Sequence, residues 1–196
     1  MTADEAYRWL IGNHESFEAH VLAAILALAI AEAEREGCSV RENAGYDGYP
    51  PALASLFPHA ADRLTPGDDP ARGEDERCLL DLLRRGATAR SSFEYLLAGL
   101  IARRAQRPNH LWQDLGLRNR GELSQLMNAY FAPLATRNTA DLKWKKFFFR
   151  MICRDANYTL CTAPSCGECC DYDACFNEET GEALLAHLRR TAEQAS

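Results

Sequence analysis

No apolar stretch of this sequence is long enough to cross a bilayer. The run from Val21 to Ala31 is unbroken over eleven residues, where a spanning helix needs about twenty. It does not read as a secretory signal either. Asp4, Glu5, Glu15 and Glu18 precede it against Arg8 alone, the wrong sign for the leading segment of a signal peptide, although Ala29-Ile30-Ala31 imitates a cleavage site. A buried core helix is the better reading, with no membrane partner. Positive charge is short as well. The 22 Lys and Arg stand against 28 Asp and Glu, a net charge of −6, which argues against nucleic acid because such binding needs a dense basic surface. Catalytic signatures are missing: there is no G-x-S-x-G elbow, H-E-x-x-H pair, phosphate loop or dinucleotide fingerprint. Strand patterns are scarce, and no internal repeat or low-complexity tract is present.

Cysteine is too sparse for a disulfide scaffold. Eight in 196 residues is about 4%, below the level of small secreted frameworks, and five of the eight fall between Cys161 and Cys175. That is a pattern of local ligation, and without a secretory signal a reducing cytoplasm is the expected compartment. The hydrophobic and charged shares, 47% and 26%, are those of a globular protein. The length fits one domain over 1–196 with a substantial core.

Helical periodicity and caps dominate. An amphipathic helix is expected from about Ser16 to Glu36, closed by Gly37. Residues 45–73 hold nine of the twenty Pro and Gly and read as loop, with a short helix in PPALASLF opened by Pro50 and Pro51. Glu74–Arg85 is a helix ending near Gly86. Ser91 or Ser92 caps another, with Phe93, Leu96, Leu97, Leu100 and Ile101 on its apolar face, stopped by Pro108. His110–Leu117 reads as a short helical piece ended by Gly116. Asn119 and Glu122 have capping-box spacing ahead of a helix that buries Leu123, Leu126, Met127 and Tyr130, closed by Pro133. A helix from about Asn138 to Ala156 carries Trp144, Phe147, Phe148, Met151 and Ile152 on one face and Lys143, Lys146, Arg150 and Arg154 on another. A last helix is expected from about Glu178 to Ala192. The fold class is all-α: a helical bundle with a cysteine-rich metal-binding loop between its last two helices.

That loop, CTAPSCGECCDYDAC, has the spacing C-x4-C-x2-C-x5-C over Cys161, Cys166, Cys169 and Cys175. Pro164 and Gly167 break any helix there, and four thiols within fifteen residues can close a shell around one metal or one small cluster. Three readings stand. C-x4-C-x2-C is the plant-type ferredoxin spacing and favours an iron–sulfur cluster, although there the fourth cysteine is remote. Four thiolates also suit a structural zinc site, which would make the protein an all-α interaction module, but only Cys166 and Cys169 form a zinc knuckle. Disulfides are disfavoured by compartment. A small iron–sulfur electron carrier is a further possibility on the cluster reading.

Around the loop, Cys153 reads as a buried structural thiol, and Cys170, next to Cys169, points away from its neighbour in extended backbone. Cys38 and Cys78 read as packing residues. His110, beside Trp112, is expected to be a hydrogen-bonded structural residue. The basic stripe Lys143, Lys146, Arg150 and Arg154 is expected to be a solvated helix face. Glu168 to Glu182 holds six acidic residues and no basic one.

Three stretches, taken in order, resemble the NifQ family of nitrogen-fixation proteins: NHLWQDLGLRNRGELSQLM at 109–127, NTADLKWKKFFFR at 138–150, and CTAPSCGECCDYDACF at 161–176. The resemblance covers about residues 74–178, and is weak over the first seventy apart from LFP at 56–58. It implies a non-enzymatic carrier that holds a molybdenum–iron–sulfur cluster and donates molybdenum for the iron–molybdenum cofactor of nitrogenase. The implied partners are the scaffold NifEN and the nitrogenase iron protein NifH, with molybdate as the metal source. The implied ligands are Cys161, Cys166, Cys169 and Cys175.

Overall fold

The described part of the chain begins with an N-cap. Residues 1–155 are described by the structure, a computed structural model. They form eleven α-helices and one 3-10 turn, with no strand among the described residues. Thr2 accepts from the Glu5 amide while the Glu5 carboxylate accepts from the Thr2 amide, a reciprocal cap that starts α1 (Ala3–Ile11). The sequence expectation began at Ser16 and passed over this helix, although its cap spacing and the buried pair Ala6 and Leu10 are legible.

Ser16 caps α2 (Phe17–Glu36) through the Ala19 amide, and Gly37 closes it with φ +68°. The limits match expectation, but the helix is not amphipathic. Val21 to Ala27, Ala29 and Ile30 are all buried, so it is wrapped by neighbours on every side, as a helix apolar all round must be. α1 lies along it, and α3 (Val40–Ala44), capped by Ser39 and Glu42, folds back against it.

The expected loop at 45–73 is more ordered than its Pro and Gly content suggests. It contains α4 (Pro51–Leu56), opened by Pro51 as expected, a 3-10 turn at Pro58–Ala60, and α5 (Ala61–Leu64). Its irregular backbone is satisfied by side chains. Tyr46 donates to the Leu64 carbonyl at 2.6 Å, Arg41 to Gly67 at 2.6 Å, Arg72 to Gly45 at 3.2 Å, and Arg103 to Ala71 at 2.7 Å. Carbonyls outside regular helices lack a ladder partner, and the buried one of Leu64 requires such a donor.

Two expected helices follow closely: α6 (Glu74–Arg85), ending at Gly86, and α7 (Ser92–Arg104), with Ser91 as its cap. They pack on each other, and Leu96, Leu97, Leu100 and Ile101 are buried as predicted. α8 is a single turn (Leu111–Asp114). α9 (Arg120–Tyr130) starts at Asn119, which accepts from the Glu122 amide. The expected capping box is only half formed, because the Glu122 carboxylate accepts instead from the Arg118 amide at 2.8 Å and meets His20. Pro133 sits inside the first turn of α10 (Ala132–Ala135), so it opens a new turn after α9 has ended.

The last described helix, α11 (Trp144–Asp155), begins six residues later than expected. Asn138 holds the chain in a turn, accepting from the Leu142 amide at 2.9 Å and donating to the Leu142 carbonyl at 3.0 Å. Asp141 adopts a left-handed φ of +47°. Side-chain competition of this kind delays helix entry. α11 packs against α6.

Gly116 joins α8 to the core. Its φ is +69°, and a Cβ there would lie 2.7 Å from the backbone carbonyl of Ala24 in α2. Gly116→Ala should therefore lower unfolding free energy by about 1–3 kcal/mol in urea titration.

Candidate metal centre

The four motif cysteines, Cys161, Cys166, Cys169 and Cys175, lie outside the described residues, as do Cys170, the acidic run from Glu168 and the expected final helix. What the structure provides is the stem that leads to them. α11 is described as far as Asp155, six residues before Cys161.

The stem is fixed first by aromatic packing. Trp144, Phe147, Phe148 and Met151 are buried and Ile152 is partly buried, as the periodicity predicts. Trp144 meets Phe147 edge to face at 5.7 Å and lies tilted against Phe148 at the same separation, within the favourable range for aromatic pairs. Phe149 is also buried, although it lies off that face. On the predicted basic stripe Lys143 is exposed, while Lys146 and Arg150 are half-buried, so the stripe is less solvated than expected. Cys153 and Arg154 lie on the last turn of the helix.

Lys145 fixes the stem a second time. Its ammonium reaches the buried Asp114 carboxylate at 2.6 Å and also donates to the Arg107 carbonyl. The other Asp114 oxygen accepts from Asn109 at 3.0 Å, and the Asp114 carbonyl accepts from Arg104 Nε at 2.6 Å. Arg104, only 1% exposed, completes the chain by donating through both terminal nitrogens to Glu32, at 2.5 and 3.0 Å, and to Asn43 at 3.2 Å. Arg107 adds bonds to Glu36 at 2.7 and 2.8 Å. Burial pushes the Glu32 carboxyl up, but the bond and charge of Arg104, with Arg107 behind it, outweigh this and hold it below its ordinary value. None of this was foreseen. Lys145 lies off the predicted basic stripe, and a lone Asp in HLWQDLGL gave no sign of its partner.

Other residues weighed in the sequence fall out as follows. His110 is exposed at the start of α8, where its amide donates to the Gln113 side chain at 3.2 Å, so it serves as a hydrogen-bonded structural residue at a helix cap. Cys38 and Cys78 are half-buried free thiols. Burial raises the Cys78 thiol, and the nearby Glu74, Asp75 and Asp81 raise it further, so it stays protonated and is a poor metal ligand at neutral pH. Among the described residues no group of three His, Cys, Asp or Glu is placed to hold a metal ion, and no helix is long and apolar enough to cross a membrane. One histidine that went unremarked is well built in. His20 lies 2.8 Å from the Tyr7 hydroxyl and 3.2 Å from Glu122, and so ties α1, α2 and α9 together.

Comparison with known proteins places these features. The NifQ family model matches residues 21–177. The chain is 36% identical over 177 residues to a protein NifQ homolog of Sinorhizobium fredii, covering 85% of this chain and 75% of that protein. It is 37% identical over 123 residues to protein NifQ of Rhodobacter capsulatus, covering 59% and 68%. Against protein NifQ of Klebsiella pneumoniae it is 44% identical over 81 residues, covering 41% and 48%. No solved structure matches the chain.

The Glu32–Arg104 pair makes a pH-dependent prediction. Because the folded-state value of Glu32 lies below its ordinary 4.5, the folded protein binds fewer protons there than the unfolded chain. The stability this contributes is complete above about pH 4.5 and is lost as pH falls through the folded value. Arg104→Met should cost about 3–5 kcal/mol at neutral pH by urea titration, since it strands a partly buried carboxylate. The gap from the parent protein should narrow as pH is lowered toward about 3.

Proposed function

The chain belongs to the NifQ family, and on that membership we propose that it is a carrier and donor of molybdenum for the iron–molybdenum cofactor of nitrogenase. In this reading it is an accessory protein rather than an enzyme, it works in a reducing cytoplasm, and its cargo is a molybdenum–iron–sulfur cluster held by Cys161, Cys166, Cys169 and Cys175. The observation that carries the proposal is the extent of the family match, which runs to residue 177 and so takes in all four cysteines.

The donor set suits such a cargo. Soft thiolates select iron–sulfur and related clusters over hard cations, and the first three spacings are those of a known cluster loop. A cubane of three irons and one molybdenum has four metal corners, which four thiolates can hold. Molybdenum enters cells as an oxyanion, and its passage into a sulfur-rich cofactor is easier from a site already bearing sulfide. In the proposed division of labour three cysteines bind iron, and the molybdenum corner is more weakly ligated and exchangeable. The acceptors would be the NifEN scaffold working with the iron protein NifH, with molybdate as the source. A donating cluster must be reachable by its acceptor.

Anaerobically purified protein should contain iron, acid-labile sulfide and molybdenum together. Zinc alone would overturn the proposal in favour of a structural site, and iron with sulfide but no molybdenum would turn it toward electron transfer. Replacing each motif cysteine in turn by Ser should strip both metals from three variants and mainly molybdenum from the fourth. Equal loss of both metals from all four would reject the division of labour.

A further inference from the structure

We propose that the corner where the α6–α7 loop meets α10 is a docking surface for a carboxylate-rich patch on a partner protein, gripped by Arg84, Arg85, Arg90 and Arg137. The inference uses the described helices alone and does not rest on the assignment of the metal centre.

Two stretches of chain are clamped together at this corner. A Cβ on Gly86 would lie 2.4 Å from the Leu134 side chain, so the two touch there. The Thr88 amide donates to the Tyr130 carbonyl at 3.0 Å, and the Thr88 hydroxyl oxygen accepts from the Ala132 amide at 2.9 Å. Arg84, Arg85, Arg90 and Arg137 each stand within three residues of Gly86, Thr88 or Leu134, which tethers every one of them within about 11 Å of the clamp. All four are exposed. Residues 82–93 and 131–140 contain these four arginines, no lysine and no Asp or Glu, in a chain of net charge −6. Arg84, Arg90 and Arg137 make no ion pair among the described residues. Nearby carboxylates are engaged elsewhere or stand apart. Glu94 is buried beneath the loop, Glu18 accepts from Tyr130 at 2.7 Å, and Asp81 is exposed on α6 a turn before Arg85.

Arg90 carries the argument. The buried Glu94 carboxylate accepts from the Ala89 amide at 3.0 Å and from the Ser91 amide at 2.9 Å, while Ser91 caps α7. Holding both flanking amides sets Arg90 in the left-handed region, at φ +56°. Gly adopts that conformation without penalty, and a long side chain does not. The loop itself takes nothing from the guanidinium, so a costly residue occupies a position that the fold would fill better with Gly. Strain of this kind points to a use for the side chain, and the side chain is free in solvent.

The chemistry selects the partner. The planar fork of Arg matches a carboxylate with two parallel bonds, which Lys cannot do. Tyr95, 40% exposed, ends the first turn of α7, and helical side chains lean toward the N-terminus, here toward the Arg90 loop. Arg and Tyr are the residues enriched at the energetic centres of protein interfaces. Four cations on an acidic chain are too few for nucleic acid, which needs a dense basic surface.

The test is an amide NMR titration of the full chain with a decapeptide of alternating Glu and Gly. Shifts should concentrate at residues 84–91 and 136–138, weaken as salt is raised from about 50 to about 300 mM, and be absent with a Gln–Gly decapeptide. Arg90→Gly should weaken binding about threefold and, by relieving the backbone, raise the urea midpoint. Arg84→Gln combined with Arg137→Gln should weaken binding about tenfold, and tests the corner without touching the strained residue. Arg63→Gln removes the same charge from an exposed site on α5 and should leave affinity and shift pattern unchanged. Equal weakening by Arg63→Gln, or shifts scattered over the surface, reduces the effect to bulk charge and overturns the proposal. Tighter binding of a thymidine decanucleotide, or the same shifts from inorganic phosphate at equal affinity, overturns it in favour of a phosphate site. A sedimentation coefficient that rises with concentration in the parent protein but not in Arg90→Gly assigns the corner to a second copy instead. Absence of shifts with the Glu–Gly peptide at low salt rejects the docking surface outright.

Discussion

One buried guanidinium holds the described helices in a common frame. Arg104, at the end of α7, donates to Glu32 in α2, to Asn43 in α3 and to the carbonyl of Asp114 in α8, and the Asp114 carboxylate in turn takes Lys145 of α11. Five helices thus meet through two ion pairs, Glu32 with Arg104 and Asp114 with Lys145, joined by the bond from Arg104 to the Asp114 carbonyl. An ion in a low-dielectric interior is costly unless paired, so each charge is tolerable only while its own partner stays in place. Apolar packing alone could hold α2, α7 and α11 together with comparable strength. It could not specify which turn of one helix faces which turn of another, because burial is proportional to area and indifferent to direction.

The two internal stretches that carry the family resemblance meet at this chain. Residues 109–127 supply Asn109, Asp114, Gly116 and Glu122, and residues 138–150 supply Asn138 and Lys145. The first stretch turns at Gly116, which lies against the Ala24 carbonyl, and so presents Asp114 to both Arg104 and Lys145. The second delays helix entry through Asn138 until Trp144, which places Lys145 within reach of Asp114. Each stretch therefore has a local conformational job that makes the long-range contact possible. α1 and α3, tied on by capping boxes and by the Tyr7–His20–Glu122 bonds, stand outside that chain, apart from Asn43.

Local signals were legible where the deciding energies are local. Ser16, Gly37, Ser91 and Gly86 mark helix limits because caps act through one or two backbone bonds, and the spacing of Leu96, Leu97, Leu100 and Ile101 reports a buried stripe directly. α1 and α3 were missed although Thr2–Glu5 and Ser39–Glu42 have cap spacing, because short helices carry too few apolar repeats to stand out. The expected start of α11 at Asn138 failed because Asn can equally hold a turn, and sequence periodicity does not say which competitor wins. The Lys145–Asp114 pair was invisible for a different reason: its members are 31 residues apart, and nothing local distinguishes a Lys that turns inward from four neighbouring cations. In the candidate metal centre the spacing states how many thiols are available. It does not state which metal they hold, since zinc and iron–sulfur sites draw on the same donors.

Charge is unevenly divided along the chain, and on the proposed assignment this bears on how cargo is taken up. Residues 1–155 contain 20 Lys and Arg against 21 Asp and Glu, whereas residues 156–196 contain 2 against 7, so almost the whole net charge of −6 belongs to the segment that bears the cysteines. On that assignment the thiols must give up their protons to bind, since a metal ion is the largest local charge in its site and deprotonates a coordinating thiol outright. Loading would then release protons and depend on pH, and the charge of the cargo would enter the most acidic part of the sequence.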